Sequence, residues 1–243
     1  ATALLGRLGR LDPAELAVAA QACFPLGPGC PQQMARALLE ALQWAGSFMA
    51  PNALADTLQA LLPLLQSSAL PPPSAAAAVC PLAARALNLC LSESLPPAVA
   101  AGLISGYLLA TAPLQEYMAG EAGSDTSAST EAEDLLSKEA QRIAPELPAG
   151  QLAALVRAFR QRGLLLRPGG RLQLHRSLEA RALALIGLKP GSGQPSLAAS
   201  IALLGEFCHP QALSPDVVHA LGPRIARAGE QLSPAEVARV ATA

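Results

Sequence analysis

The sequence predicts an all-α chain, a right-handed type of α-solenoid with about eleven short helices in two-helix repeats of about 38–46 residues. Three observations predict it: composition, the spacing of prolines, and apolar residues at helical intervals. Of the 243 residues 51% are hydrophobic but only 3% aromatic, so core packing falls to Leu, Ala and Val. Ala and Leu head the helix-propensity scale, while the β-branched and aromatic residues that sheets favour are scarce. With 14% charged residues the chain can bury a continuous core, which excludes a wholly disordered protein.

Pro suits the first turn of a helix, where no backbone donor is needed. Pro13, Pro31, Pro51, Pro73 and Pro96 follow one another at intervals of 18, 20, 22 and 23 residues, and Pro195, Pro215 and Pro234 at 20 and 19. Pro148 opens a further helix between the two series. Each interval accommodates one helix of about 12–16 residues and a short turn. Four starts share a pattern: Leu11-Asp12-Pro13-Ala14-Glu15-Leu16, Met49-Ala50-Pro51-Asn52-Ala53-Leu54, Leu213-Ser214-Pro215-Asp216-Val217-Val218 and Leu232-Ser233-Pro234-Ala235-Glu236-Val237. Asp or Ser before Pro can cap orphan N–H groups, and the apolar residue before it can staple the first turn. Within helices, Leu16, Ala20, Cys23 and Phe24, or Leu152, Leu155, Val156 and Phe159, make one buried stripe.

Three segments are expected: N-terminal helical repeats over residues 1–118, an acidic flexible linker over 119–134, and basic C-terminal repeats over 135–243. The linker reading rests on Ala119–Asp134, AGEAGSDTSASTEAED, which is small, polar and acidic. Arg167-Pro168-Gly169-Gly170-Arg171 reads as a second break, a tight turn. Charge divides unevenly: residues 1–139 hold 5 basic and 12 acidic side chains, residues 140–243 hold 12 basic and 6 acidic. That asymmetry points to an anionic partner for the second half. Fifteen of the 17 basic residues are Arg, a preference that a GC-rich coding sequence explains equally well.

The repeat starts at Leu11–Ala17 and Leu232–Ala241 resemble the octotricopeptide and heptatricopeptide repeats of organellar proteins, a group often linked to RAP domains. The spacing drifts from that pattern over residues 96–148, and no terminal RAP-like segment is present. The resemblance implies a non-catalytic protein of the mitochondrion, or alternatively the plastid. Its implied partners are RNA, ribosomal or an organellar transcript, and neighbouring proteins of a large complex such as the mitochondrial ribosome. No small-molecule substrate or cofactor is expected. The competing reading is an armadillo- or HEAT-like protein-interaction scaffold without nucleic acid. The chain lacks an initiator Met and ends at Ala243 within a helical pattern, so a longer parent protein is expected.

Candidate phosphate-binding residues are Arg157, Arg160, Arg162, Arg167, Arg171, Arg176 and Arg181, interspersed with His175 and a single acid, Glu179. Clustered guanidinium groups neutralise phosphate and can grip it bidentately. Stacking aromatics for base reading are missing from this stretch, and a solvated basic face or a contact with an acidic protein would use the same residues. The uncharged run Ser94–Gln115, with Gly102 and Gly106 at GxxxG spacing, is read as a buried helix in preference to a membrane span. Cys23, Cys30, Cys80, Cys90 and Cys208 include no CxxC pair, so neither a zinc site nor a disulfide framework is expected, and free cysteines packed as small hydrophobes are. Cys208-His209 and His219 lack a carboxylate at triad or ligand spacing, so no catalytic or metal residue is assigned.

Overall fold

The computed structural model describes residues 8–66, 71–92, 94–114, 126–165, 171–187 and 194–227. Among these residues there are ten α-helices and no strand. They are α1 Pro13–Cys23, α2 Gln32–Ala45, α3 Pro51–Gln66, α4 Pro72–Ser92, α5 Pro97–Thr111, α6 Thr126–Ile143, α7 Ala149–Gln161, α8 Arg171–Ile186, α9 Leu197–Phe207 and α10 Pro215–Arg227. Short 3-10 turns at Phe24–Gly29, Gly46–Phe48, Ala112–Leu114 and Ala144–Glu146 follow α1, α2, α5 and α6. The chain forms two compact units, Ala1–Leu136 and Ser137–Ala243. The division falls inside α6.

Local chemistry explains the helix starts. Asp12 accepts a hydrogen bond from the Glu15 backbone N–H at 2.8 Å and Glu15 accepts from the Asp12 N–H at 3.0 Å, closing a capping box around Pro13. Such a cap contributes about 1 kcal/mol. Buried stripes then follow at helical spacing, as in Met34, Leu38, Leu42 and Ala45 of α2 or Leu54, Leu58, Leu61 and Leu64 of α3. Full burial of one such Leu stabilises by roughly 1.5–3 kcal/mol.

In the first unit α1 packs on α2 and α3, α2 on α4, α3 on α4 and α5, and α4 on α5. The second unit repeats this order: α7 packs on α8 and α9, α8 on α10, and α9 on α10. Packing within the units thus joins some successive helices, α1–α2, α3–α4, α4–α5, α7–α8 and α9–α10, and helices two places apart, α1–α3, α2–α4, α3–α5, α7–α9 and α8–α10. Two glycines permit the closest approaches. A Cβ on Gly106 of α5 would lie 2.8 Å from Leu58 Cβ of α3, and one on Gly46 would collide with Leu82 Cδ2 of α4.

Of the segment read as a linker at 119–134, residues 126–134 are helical and form the first half of α6; residues 119–125 lie outside the described residues. Ala132, Leu136, Ala140 and Ile143 are buried along α6 at intervals of four, four and three, so an apolar stripe decides the conformation despite the acidic composition. The uncharged run is a helix over Pro97–Thr111, with Ala100, Leu103, Ile104 and Leu108 fully buried. Pro73–Ser92 and Pro97–Leu114 are long and apolar enough to cross a bilayer by length and composition, and about half of the most apolar stretch of each is buried in the fold.

Candidate functional site

The Arg-rich stretch lies on α7 and α8, which pack on each other in the second unit. Arg157 and Arg160, three residues apart, share a face of α7. Both reach Glu206, in the last turn of α9, which packs against α7. Arg157 Nε is 2.6 Å from Glu206 Oε1, and Arg160 Nη2 and Nε are 3.0 and 3.1 Å from Oε2. The Glu206 side chain is 6% exposed, Arg160 17% and Arg157 51%. A buried carboxylate needs such partners, because its isolated charge would be expelled from a low-dielectric setting. The trio keeps a net charge of one, and the exposed Arg157 guanidinium retains donors on its outer edge.

The remaining members are dispersed. Arg181 of α8 donates from Nε to the Leu147 carbonyl at 2.9 Å, satisfying the chain just after the 3-10 turn that ends α6. Arg162 is buried at the C-cap of α7, its N–H bonded to the Ala158 carbonyl at 3.2 Å. Arg176 projects from α8 into solvent and forms no ion pair or hydrogen bond among the described residues. Arg171 opens α8, and its side chain lies outside what is described, as does Arg167 entirely. The structure thus brings Arg157 and Arg160 together and commits Arg162 and Arg181 to the fold.

The two other titratable residues in this stretch are also structural. His175 Nε2 lies 3.2 Å from the Ala212 carbonyl, with its ring edge-on to Phe207 at 6.2 Å. Glu179 accepts from the Ser214 hydroxyl, whose oxygen accepts the Val217 N–H at 3.2 Å and so caps α10. Glu179 is therefore used at a helix end and is not the acid that balances Arg157 and Arg160. That acid is Glu206, which sequence reasoning missed. Its only signal was a lone Glu within an otherwise apolar helix.

Residues 137–243 carry 13 basic and 7 acidic side chains, a net of +6, against −7 for residues 1–136. Burial pushes the Cys208 thiol above its ordinary pKa, and the neighbouring His209 Nδ1 accepts from the Gln211 N–H at 3.3 Å. No group of three or more potential metal ligands occurs among the described residues. Comparison with protein-family models, with curated proteins and with solved structures finds no match to this chain.

Proposed function

We propose that the chain is a non-catalytic α-solenoid of an organelle, built of two-helix repeats, whose second unit contacts RNA within a ribonucleoprotein assembly such as the mitochondrial ribosome. The observation that carries the RNA reading is the +6 charge of residues 137–243, combined with exposure of Arg157 and Arg176 on adjoining helices α7 and α8. Cations free to meet solvent attract a polyanion and release its counterions. Contacts between consecutive and alternate helices, seen within each unit, favour the repeat architecture. The organelle and the ribosome rest on the resemblance of the Pro-initiated motifs at Leu11 and Leu232.

The test is titration of a single-stranded RNA with the intact protein and with an Arg157→Gln/Arg176→Gln variant over a series of salt concentrations. The variant is expected to bind at least about tenfold more weakly, with a salt dependence reduced by about two counterions. Unchanged affinity and slope would remove the RNA reading.

A second reading, a protein-interaction scaffold, is favoured by Trp44 in the last turn of α2 and Phe48 in the 3-10 turn after it, which are 48% and 75% exposed. Large aromatic side chains left in solvent commonly mark protein contacts. Partners that stay associated after nuclease treatment would favour this reading.

A further inference from the structure

Glu206 serves two arginines whose needs differ. It is the sole charged residue of α9 and is almost wholly buried. Its Oε2 takes Nε and Nη2 of Arg160, which is itself well shielded from solvent. Each of these two charges requires the other, because neither is tolerated alone at such burial. Its Oε1 takes Nε of Arg157 at 2.6 Å, and Arg157 is half in solvent. Water alone would satisfy that guanidinium. What the second contact adds is direction: it fixes an exposed cation.

A guanidinium bonded through Nε keeps its Nη1 and Nη2 donors, which form a planar fork suited to two oxygens of a phosphate. We infer that Glu206 is a positioning residue that holds Arg157 with its Nη1–Nη2 edge turned outward, as a preformed seat for one backbone phosphate of single-stranded RNA. The inference rests on the RNA reading proposed above and names the contact on which that reading turns. An arginine side chain free in solvent loses much rotamer entropy when it grasps a phosphate, whereas one held by Glu206 has lost it during folding. With two arginines on one carboxylate the cluster keeps one positive charge, so the seat still attracts an anion.

Other arginines of the second unit are arranged differently. Arg142 is also held by a carboxylate, but Glu139 takes both its Nε and its Nη2, at 2.8 and 2.5 Å, and the pair is neutral. Arg181 and Arg224 donate to the carbonyls of Leu147 and Pro195. Arg176 is exposed without an ion pair among the described residues, a charge with no fixed direction.

Glu206→Gln removes a negative charge beside the seat, so attraction of charge alone would make the variant bind RNA more tightly. Loss of positioning makes it bind more weakly. The experiment titrates fluorescein-labelled oligouridylate with the full chain and with Glu206→Gln, Arg157→Gln, the double variant and Arg157→Lys, each shown by circular dichroism to be folded at the temperature used. Glu206→Gln and Arg157→Gln are each expected to weaken binding by roughly three- to tenfold. In the double variant the Glu206 change should add nothing to the loss from Arg157→Gln, because the carboxylate acts through Arg157. A loosened α7–α9 contact would instead weaken binding in both backgrounds. Arg157→Lys, which leaves Glu206 in place, should bind more weakly than wild type although it keeps the charge, since an ammonium group offers no planar fork.

Tighter or unchanged binding by Glu206→Gln, an equal loss from that substitution in both backgrounds, or full affinity of Arg157→Lys would overturn the positioning role while leaving the RNA reading in place. Unchanged binding by Arg157→Gln would overturn the inference at its base. Unchanged binding by Arg157→Gln/Arg176→Gln would remove the RNA reading as well.

Discussion

Arg157 Nε stands 2.6 Å from Glu206 Oε1, a contact that joins positions 49 residues apart and ties α7 to α9. With Arg160 on its other oxygen, Glu206 is the buried centre of the ion cluster. Glu206→Gln keeps the shape but leaves two guanidinium groups without their counter-charge. The expected loss is about 1–3 kcal/mol, below that of a fully buried pair because Arg157 is half in solvent. Arg160→Met should cost more than Arg157→Met, since Arg160 is the better shielded partner. Urea unfolding of the three variants ranks them.

Gly106 and Gly150 should respond in opposite directions to the same substitution. Gly106→Ala places a methyl 2.8 Å from Leu58 Cβ and forces α3 and α5 apart, at a cost of about 1–3 kcal/mol. Gly150, in the first turn of α7, has open space around it, with nothing within 4 Å of where an alanine methyl would sit. Gly150→Ala should raise stability by up to about 1 kcal/mol through helix propensity alone. Thermal melts read both signs.

Two buried serines form a similar contrast. Ser105 in α5 has a hydroxyl with no hydrogen-bond partner, whereas Ser214 donates to Glu179 and accepts from Val217. Ser105→Ala removes a group that was desolvated without compensation, so stability should stay level or rise by about 0.5–1 kcal/mol. Ser214→Ala removes a helix cap and strands Glu179, and should cost about 1–2 kcal/mol. Urea midpoints decide between these outcomes.

Reduced protein should lose stability above about pH 9. Burial raises the thiol pKa of Cys30, Cys80 and Cys208 above the ordinary value of 9.0. Below the unfolded value both states hold the proton and the three thiols contribute no slope. Above it the unfolded chain releases protons that the folded chain keeps, so unfolding gains until the folded groups titrate as well. Denaturant midpoints from pH 7 to pH 10 should fall at the alkaline end, and fall less once the three cysteines are replaced by Ala.

Much of the helix punctuation is legible in the sequence, because it depends on neighbours in the chain. Pro13, Pro51 and Pro215 are each the first residue of a helix, as their caps and staples imply. Pro195 is different: α9 starts at Leu197, with the Ser196 hydroxyl accepting from the Ala199 N–H at 3.2 Å, so the serine sets the boundary. Pro63, Pro81 and Pro223 lie inside helices, where flanking apolar residues outweigh the lost hydrogen bond. The helix in the acidic run before Leu135 is hard to read from composition, which masks the four-residue spacing of Ala132, Leu136 and Ala140. The start expected at Pro234 lies outside the described residues. Of the seven arginines, proximity in sequence does not separate the exposed Arg176 from Arg181, which is held by the Leu147 carbonyl, because the discriminating partner is 34 positions away.

The packing order within each unit has a consequence for how the protein comes into being. The helices of the first unit that pack most extensively on one another, α1 to α5, are at most two places apart in the chain, so their contacts close loops of limited length. Chains of such low contact order fold quickly. During synthesis α1 to α3 can pack as soon as they are outside the exit tunnel, and later helices dock on a surface already formed. Apolar segments such as α4 and α5 are then exposed only briefly, which limits the interval in which they could aggregate.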